Sequence, residues 1–181
     1  MHCRQLCDIE RVLPEAHFVH IVRDGRDAAV SLRERWFSPG RDIEIQARFW
    51  RENVFAARAL GARCARYMEV HYEKLLRDPE QELRRIAEFI DLPFERTQLD
   101  YHRSAAWRLA EHGERRTGDG SLVLSQAARQ AQQASTAMPP DPSRVGVWRA
   151  VFTKDEADRF DTVAGDALEQ FGYPRAAAAS P

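Results

Sequence analysis

An arginine and a serine eight residues apart form the part of this sequence that is best suited to binding a phosphate. The apolar run 18–22 is typical of a buried strand in a parallel sheet, and Arg23 follows it directly. Asp27 is a suitable N-cap for a helix to about Phe37, which places Ser31 near its first turn. A guanidinium at a strand end and a hydroxyl near a helix N-terminus would converge where free N–H groups and the helix dipole favour anions.

The same residues also fit a purely structural interpretation. Arg23 with Asp24, and Arg26 with Asp27, would then form surface ion pairs that close a strand–helix turn. Residue types alone favour neither interpretation over the other.

The elements that must position these groups are predicted to be mostly helical. Two strands, over 17–22 and 66–72, are connected by helices and therefore predict a parallel pair. Thr153 and Glu156 form a capping box at the start of the last helix. Apolar spacing predicts core positions for Trp50 and Trp107. The helices predicted after the first turn cover the ranges 42–63, 79–90, 97–110, 122–137 and 153–172.

The segment 18–31 resembles the 3′-phosphate-binding element of bacterial-type sulfotransferases that use PAPS (3′-phosphoadenosine 5′-phosphosulfate). In that family a strand ends in Arg, an Arg-Asp-x-Arg-Asp turn follows, and a Ser stands eight residues after the first Arg. Arg23 and Ser31 match both positions. The resemblance implies that these two side chains hold the 3′-phosphate of PAPS.

A second segment, 68–93, is similar to the family's strand ending in Tyr-Glu, followed by Asp-Pro and an amphipathic helix. Tyr72 matches the family tyrosine that lies near the adenine. A core tyrosine at a strand end explains the same residue equally well. The role of Tyr72 therefore stays open at this point.

A third segment, 143–153, resembles the family's late Gly-x-Trp-Arg/Lys loop, which folds over the nucleotide. Gly146, Trp148 and Arg149 match the motif, and Arg144 lies where basic residues often help to bind the 3′-phosphate. For Trp148 we expect the main role to be a core anchor for the final helix, with nucleotide contact secondary. The three segments occur in the family's order, which makes the resemblance stronger than any single motif.

One expected element is missing. The family opens with a strand and a Gly-rich loop whose Lys stabilises the leaving group on the 5′-phosphosulfate. The two lysines of this chain, Lys74 and Lys154, lie in no such loop. We therefore expect a truncated, C-terminal portion of the family fold. His2 is about as far upstream of Arg23 as the catalytic His of some relatives, but we interpret it as a terminal residue, so the catalytic base is unknown.

The resemblance implies an α/β fold: the three-layer, P-loop nucleotide-kinase-like sulfotransferase fold, truncated and mostly helical with a short parallel sheet. We expect one domain over 1–174 and a disordered tail over 175–181. The implied reaction is sulfuryl transfer from PAPS to a hydroxyl or amine acceptor. A non-catalytic module that binds PAPS or PAP (adenosine 3′,5′-bisphosphate), or a degenerate fragment, is the alternative. A kinase-like phosphotransferase fits less well, because nothing resembles a magnesium-binding acidic site.

Composition restricts the partners. The formal net charge of −1 gives no reason to expect nucleic-acid binding, and no apolar run approaches the roughly 20 residues of a membrane span. With three cysteines that lack zinc-site spacing, no metal site is predicted and cytoplasmic, reduced thiols are expected. The acceptor is an unidentified small molecule, glycan or lipid. Because two strands leave an open sheet edge, pairing with another chain is also expected.

Overall fold

The computed structural model describes residues 4–33, 35–111 and 113–176. These residues form two compact units: one contains the chain up to Leu75 together with the chain from Pro142 onward, and the other is Leu76–Asp141. His2 and most of the predicted tail lie outside the described residues. The expectation of a single domain over 1–174 stays a prediction.

Short strands alternate with helices of very different lengths. In chain order the elements are α1 (Leu6–Val12), β1 (Phe18–Val22), α2 (Gly25–Leu32), α3 (Ile43–Gly61), β2 (Tyr67–His71), α4 (Tyr72–Arg77), α5 (Pro79–Phe89), α6 (Tyr101–Ala110), β3 (Arg115–Arg116), β4 (Leu122–Leu124), α7 (Gln126–Gln133), α8 (Trp148–Val151) and α9 (Lys154–Gln170). Short 3-10 turns precede α6, follow α7 and precede α8. The fold class is thus α/β and mostly helical, as predicted.

β1 and β2 form a two-stranded parallel sheet, which confirms both predicted strands. The register pairs Phe18 with Tyr67 and Val22 with His71. Val22 and Val70 are almost completely buried. Since the described residues contribute two strands to this sheet, each strand has an outer edge, and pairing of that edge with another chain stays a prediction.

The core of the first unit lies where α3 and α9 pack together. Trp50 of α3 is buried, which confirms its predicted core position, and α9 contributes Phe160 and Leu168 to the same core. Trp50 packs against Phe160 and Phe171 with ring centroids 6.3 Å apart in both pairs. The predicted capping box of Thr153 opens α9.

In the second unit one predicted helix start is confirmed and two other predictions are wrong. α5 begins after Asp78 as expected, with the Asp78 side chain accepting a hydrogen bond from the backbone of Gln81. The helix predicted over 122–137 is wrong at its start, because β4 pairs antiparallel with β3 there and α7 begins only after Ser125. Trp107 was predicted to pack inward but is 67% exposed.

Within the described ranges, the helices are too short or too polar to cross a lipid bilayer. The same residues contain no cluster of His, Cys, Asp and Glu side chains that could hold a metal ion.

Candidate functional site

Arg23 lies at the carboxyl end of β1, and its guanidinium makes one hydrogen bond to the described residues. Its Nη2 donates to the carbonyl oxygen of Arg144 at 3.0 Å, and its Cζ lies 4.7 Å from the ring centroid of Tyr72. Its Nε is buried and has no acceptor among the described residues. An unsatisfied buried donor is unfavourable, so an oxyanion that accepted from this Nε would be stabilised here.

The backbone of Arg23 is held by a hydrogen bond from α3. The indole Nε1 of Trp50 donates to the carbonyl oxygen of Arg23 at 3.1 Å. Gly25 makes this approach possible, because a Cβ at that position would lie 2.4 Å from Cδ2 of Trp50. The glycine is therefore required by the close packing of α3 against the turn.

The turn after β1 is closed by a buried ion pair. Asp24 caps α2 by accepting from the backbone N–H of Arg26 at 2.9 Å. The Arg26 side chain, which is fully buried, donates back to both Asp24 oxygens at 3.0 and 2.8 Å and to the carbonyl of Pro174 at 2.9 Å. The prediction of Asp27 as the N-cap is therefore wrong. The interpretation as surface ion pairs is also wrong here, since Arg26 pairs with Asp24 and the pair is buried.

Asp27 instead holds the late loop against α2. Its carboxylate accepts from the backbone N–H of Gly146 at 2.7 Å and of Trp148 at 2.9 Å. Gly146 has φ of +78°, a conformation that favours glycine. Trp148 is 5% exposed, as expected for a core anchor, and its ring lies 4.0 Å from the Cζ of Arg26 and 4.7 Å from that of Arg149.

These contacts bring most of the predicted site residues into one region of the first unit. Arg23 contacts Tyr72 and the backbone of Arg144, and Asp27 connects α2 to Gly146 and Trp148. The side chains of Arg144 and Arg149 are exposed.

Ser31 is placed differently from its prediction. Because α2 begins at Gly25, Ser31 falls in the second helical turn, where it is exposed. Its carbonyl oxygen accepts from Nε of Arg35 at 3.4 Å. No hydrogen bond joins Ser31 to Arg23 in the described part of the chain, so the expected convergence of the two side chains stays a prediction.

Two residues that hold the turn, Glu73 and Tyr173, were not among the predicted site residues. Glu73 accepts from the backbone N–H of Asp24 at 2.8 Å with one oxygen and from the hydroxyl of Tyr173 at 2.9 Å with the other. The same hydroxyl lies 3.3 Å from the carbonyl oxygen of Val22. Burial, reinforced by the Glu73 carboxylate, raises the pKa of Tyr173 far above its usual value. Glu73 was visible as the Glu of the Tyr-Glu motif, whereas no local signal marked Tyr173.

The turn is thus held by three separate parts of the chain. α3 supports it through Trp50, the start of α4 through Glu73, and the segment after α9 through Tyr173. These contacts hold the backbone at Val22, Arg23 and Asp24, and a backbone fixed in this way reduces the cost of ordering a binding site.

Comparisons with known proteins give the family of the chain. The Sulfotransferase family profile matches residues 1–96. A putative protein-tyrosine sulfotransferase of Caenorhabditis briggsae is 28% identical over 102 residues, covering 52% of this chain and 35% of the relative. The corresponding protein of Caenorhabditis elegans is 29% identical over 99 residues, covering 50% of this chain and 37% of the relative. The chain thus matches little more than a third of the length of these relatives. Because the family profile matches more than half of the residues of this chain, the chain belongs to the sulfotransferase family.

Proposed function

We propose that this chain supplies the 3′-phosphate-binding part of a PAPS-dependent sulfotransferase. The observation that carries the proposal is the partly exposed guanidinium of Arg23 at the end of β1, whose Nε has no acceptor among the described residues. A phosphate oxygen is an acceptor of the required charge, and a guanidinium binds it through charge-assisted hydrogen bonds. The residues present therefore fit the nucleotide that the family implies.

The surroundings of Arg23 favour a nucleotide over a simple anion. Tyr72 offers an aromatic ring beside the guanidinium, suited to lie near the adenine. The loop that carries Arg144, Gly146 and Arg149 is tied to α2 by Asp27, and its exposed guanidinia would add positive charge near the phosphate. Ser31 is assigned to the same phosphate on the motif, as the weaker of the two contacts.

The reaction we assign is in-line transfer of the sulfuryl group from PAPS to a hydroxyl or amine acceptor, with PAP as the leaving product. The names of the two relatives make a phenolic hydroxyl one reasonable acceptor. No lysine here is assigned to the reacting sulfate: Lys74 lies in α4, and Lys154 starts α9, where its Nζ pairs with Asp158 at 2.5 Å. This chain's residues thus bind and orient the nucleotide.

We also propose the three-layer P-loop-type fold, a single domain over 1–174 and a cytoplasmic location. The alternative function is a non-catalytic module that binds PAP or PAPS. Both functions use the same 3′-phosphate site, and they differ in whether sulfuryl transfer to any acceptor is measured in the presence of PAPS.

The site is tested by thermal unfolding of the full chain with PAP, with 5′-AMP and without nucleotide. A ligand that binds the folded state raises the midpoint by mass action. PAP should raise it and 5′-AMP should not, because 5′-AMP lacks the 3′-phosphate. Arg23→Ala should weaken PAP binding by about 10- to 150-fold, corresponding to about 1.5–3 kcal/mol for a charge-assisted hydrogen bond.

Arg51→Ala is the matched control for this variant. Arg51 is a partly exposed arginine of α3 that pairs with Asp166 at 2.6 Å, so its removal should leave PAP binding unchanged. Equal PAP affinity of the wild type and Arg23→Ala would show that the 3′-phosphate site is assigned wrongly.

A further inference from the structure

The second unit contains a polar cavity, open to solvent and lined mainly by exposed residues, that the proposed sulfuryl-transfer site does not use. The cavity has a volume of about 480 Å³, within the range of small-molecule sites, and it lies between α6, the 3-10 turn before it and the segment 133–136. Its lining residues, from Thr97 to Thr136, lie beyond the residues 1–96 that the family profile matches. The cavity therefore needs an explanation of its own.

Two hydrogen bonds hold the walls of this cavity together. At one end the hydroxyl of Tyr101 donates to the carbonyl oxygen of Met138 at 3.1 Å. At the other end the side-chain amide of Gln130 donates to the carbonyl oxygen of Leu109 at 3.3 Å. α6 is thus hydrogen-bonded to α7 through Gln130 and to Met138, which follows the 3-10 turn after α7.

One positive charge faces the cavity without a partner. Arg108, an exposed residue of α6, lines the cavity, and its side chain makes no ion pair or hydrogen bond within the described ranges of the chain. No acidic side chain is among the lining residues that the structure describes. By contrast, Arg103 on the same helix pairs with Asp100 at 3.4 Å. A ligand with one anionic group would provide the acceptor that Arg108 lacks.

The hydroxyl groups of the lining specify the rest of the ligand. Ser104 donates to the carbonyl of Tyr101 at 3.1 Å, and Thr136 donates to that of Gln133 at 2.7 Å. The Tyr101 hydroxyl is likewise a donor to a carbonyl. Each of these oxygens has therefore used its proton and offers lone pairs alone. A ligand must bring hydroxyl donors to them, which a simple carboxylate such as acetate cannot do.

We propose that this cavity binds a hydroxylated carboxylate of monosaccharide size, that is, a sugar acid. The carboxylate accepts from Arg108, the sugar hydroxyls donate to Ser104, Thr136 and Tyr101, and the apolar face of the sugar packs on Ala105 and Leu109 of the lining. A neutral sugar would donate to the three hydroxyl groups but would give Arg108 no anionic acceptor. A simple carboxylate such as acetate would accept from Arg108 but would have no proton to donate to the hydroxyl groups.

The test is calorimetric titration of the full chain with D-glucuronate, D-glucose, acetate and inorganic phosphate. We expect glucuronate to bind at least tenfold more tightly than each of the other three, and Arg108→Gln to weaken glucuronate binding about tenfold or more. Arg103→Gln is the matched control, because it removes an arginine from the same helix that is already paired, and it should bind glucuronate like the wild type.

Three results would overturn the proposal. They are no measurable glucuronate binding, equal affinity of the wild type and Arg108→Gln, and equal affinity for acetate or phosphate and for glucuronate. A circular dichroism spectrum of Arg108→Gln like that of the wild type separates lost binding from lost folding. PAP binding is measured in the same samples, so that failure here is distinguished from failure of the 3′-phosphate site.

Discussion

The inner and outer sides of the β1–α2 turn carry two arginines three residues apart that do opposite things. Arg26, on the inner side, is fully buried, donates to both oxygens of Asp24 and stacks on Trp148. Arg23, on the outer side, is half-buried, and its buried Nε has no acceptor in the part of the chain that the structure describes. The first arginine is held by ion pairs within the protein, although its Nη1 makes no hydrogen bond among the described residues and lies 3.7 Å from Asp161. The second makes no ion pair with the described residues and is partly exposed.

The two Arg-Asp pairs of the turn, Arg23-Asp24 and Arg26-Asp27, make different contacts. Asp24 and Arg26 neutralise each other, and the two carboxylate oxygens of Asp27 accept hydrogen bonds from the backbone of the late loop. Together they make a rigid base from which Arg23 projects. Similar residue types therefore form a buried ion pair on one side of the turn and leave a partly exposed guanidinium on the other.

Arg26→Ala should give the largest effect. It leaves the buried Asp24 carboxylate without its partner and removes the cation beneath Trp148, and breaking a buried ion pair in this way costs about 3–5 kcal/mol. The free energy of unfolding in urea measures the loss. Arg23→Ala serves as its control and should change stability by less than about 1 kcal/mol, because no ion pair is broken. Similar losses in both variants would remove the distinction between the two arginines.

Asp27→Ala should have the next largest effect. It leaves the backbone N–H groups of Gly146 and Trp148 without their acceptor, which we expect to destabilise the fold by about 2–3 kcal/mol. Denaturant unfolding of this variant is compared with that of Asp166→Ala, which removes a partly exposed carboxylate paired with Arg51. A loss no greater than that of Asp166→Ala would mean that Asp27 does not hold the loop.

The sequence was informative where one residue type has few alternatives. The apolar run 18–22 and the Asp-Pro at 78–79 gave a strand and a capped helix start, and both are present. The capping box of Thr153 was equally clear, because Ser or Thr followed three residues later by Glu has a specific hydrogen-bonding meaning.

Choices among equivalent partners could not be made from the sequence. Asp24 and Asp27 are both good N-caps, and only the position of Arg26 and of the late loop decides which one caps α2. Tyr173 is 151 residues from Val22, so its contact with the turn depends on how α9 packs. Trp107 was misplaced because apolar character predicts burial only when a neighbouring element covers that face.

His20 of β1 makes the stability of the first unit depend on pH. Its Nδ1 lies 2.7 Å from the hydroxyl of Tyr67, which donates to Glu69, and Arg58 donates to the same carboxylate at 2.9 Å. Burial, supported by the Arg58 charge and opposed by Glu69, lowers the pKa of His20 below 6.5.

Because the unfolded chain binds this proton more readily than the folded one, the contribution of His20 to stability is complete above pH 6.5 and is lost as the pH falls below it. We expect the free energy of unfolding to decrease between pH 7.5 and pH 5.5, and to decrease less in His20→Gln. Glu69, whose pKa is lowered by Arg58 although burial opposes this, titrates only under more acidic conditions. His17→Gln is the control, and an unchanged pH slope in His20→Gln would contradict the prediction.

Ser31→Ala should have the smallest effect and probes the outer side of the turn directly. Ser31 is exposed on the second turn of α2, so its loss should change stability by less than about 0.5 kcal/mol. A neutral hydroxyl donating to a phosphate contributes less than a guanidinium, so PAP affinity should fall by about 2- to 10-fold. Thermal-shift titration with PAP, beside Arg23→Ala, gives the ratio of the two effects. A loss as large as that of Arg23→Ala would mean that the second turn of α2 contributes as much to the phosphate site as the end of β1, and unchanged affinity would limit the site to Arg23 and the late loop.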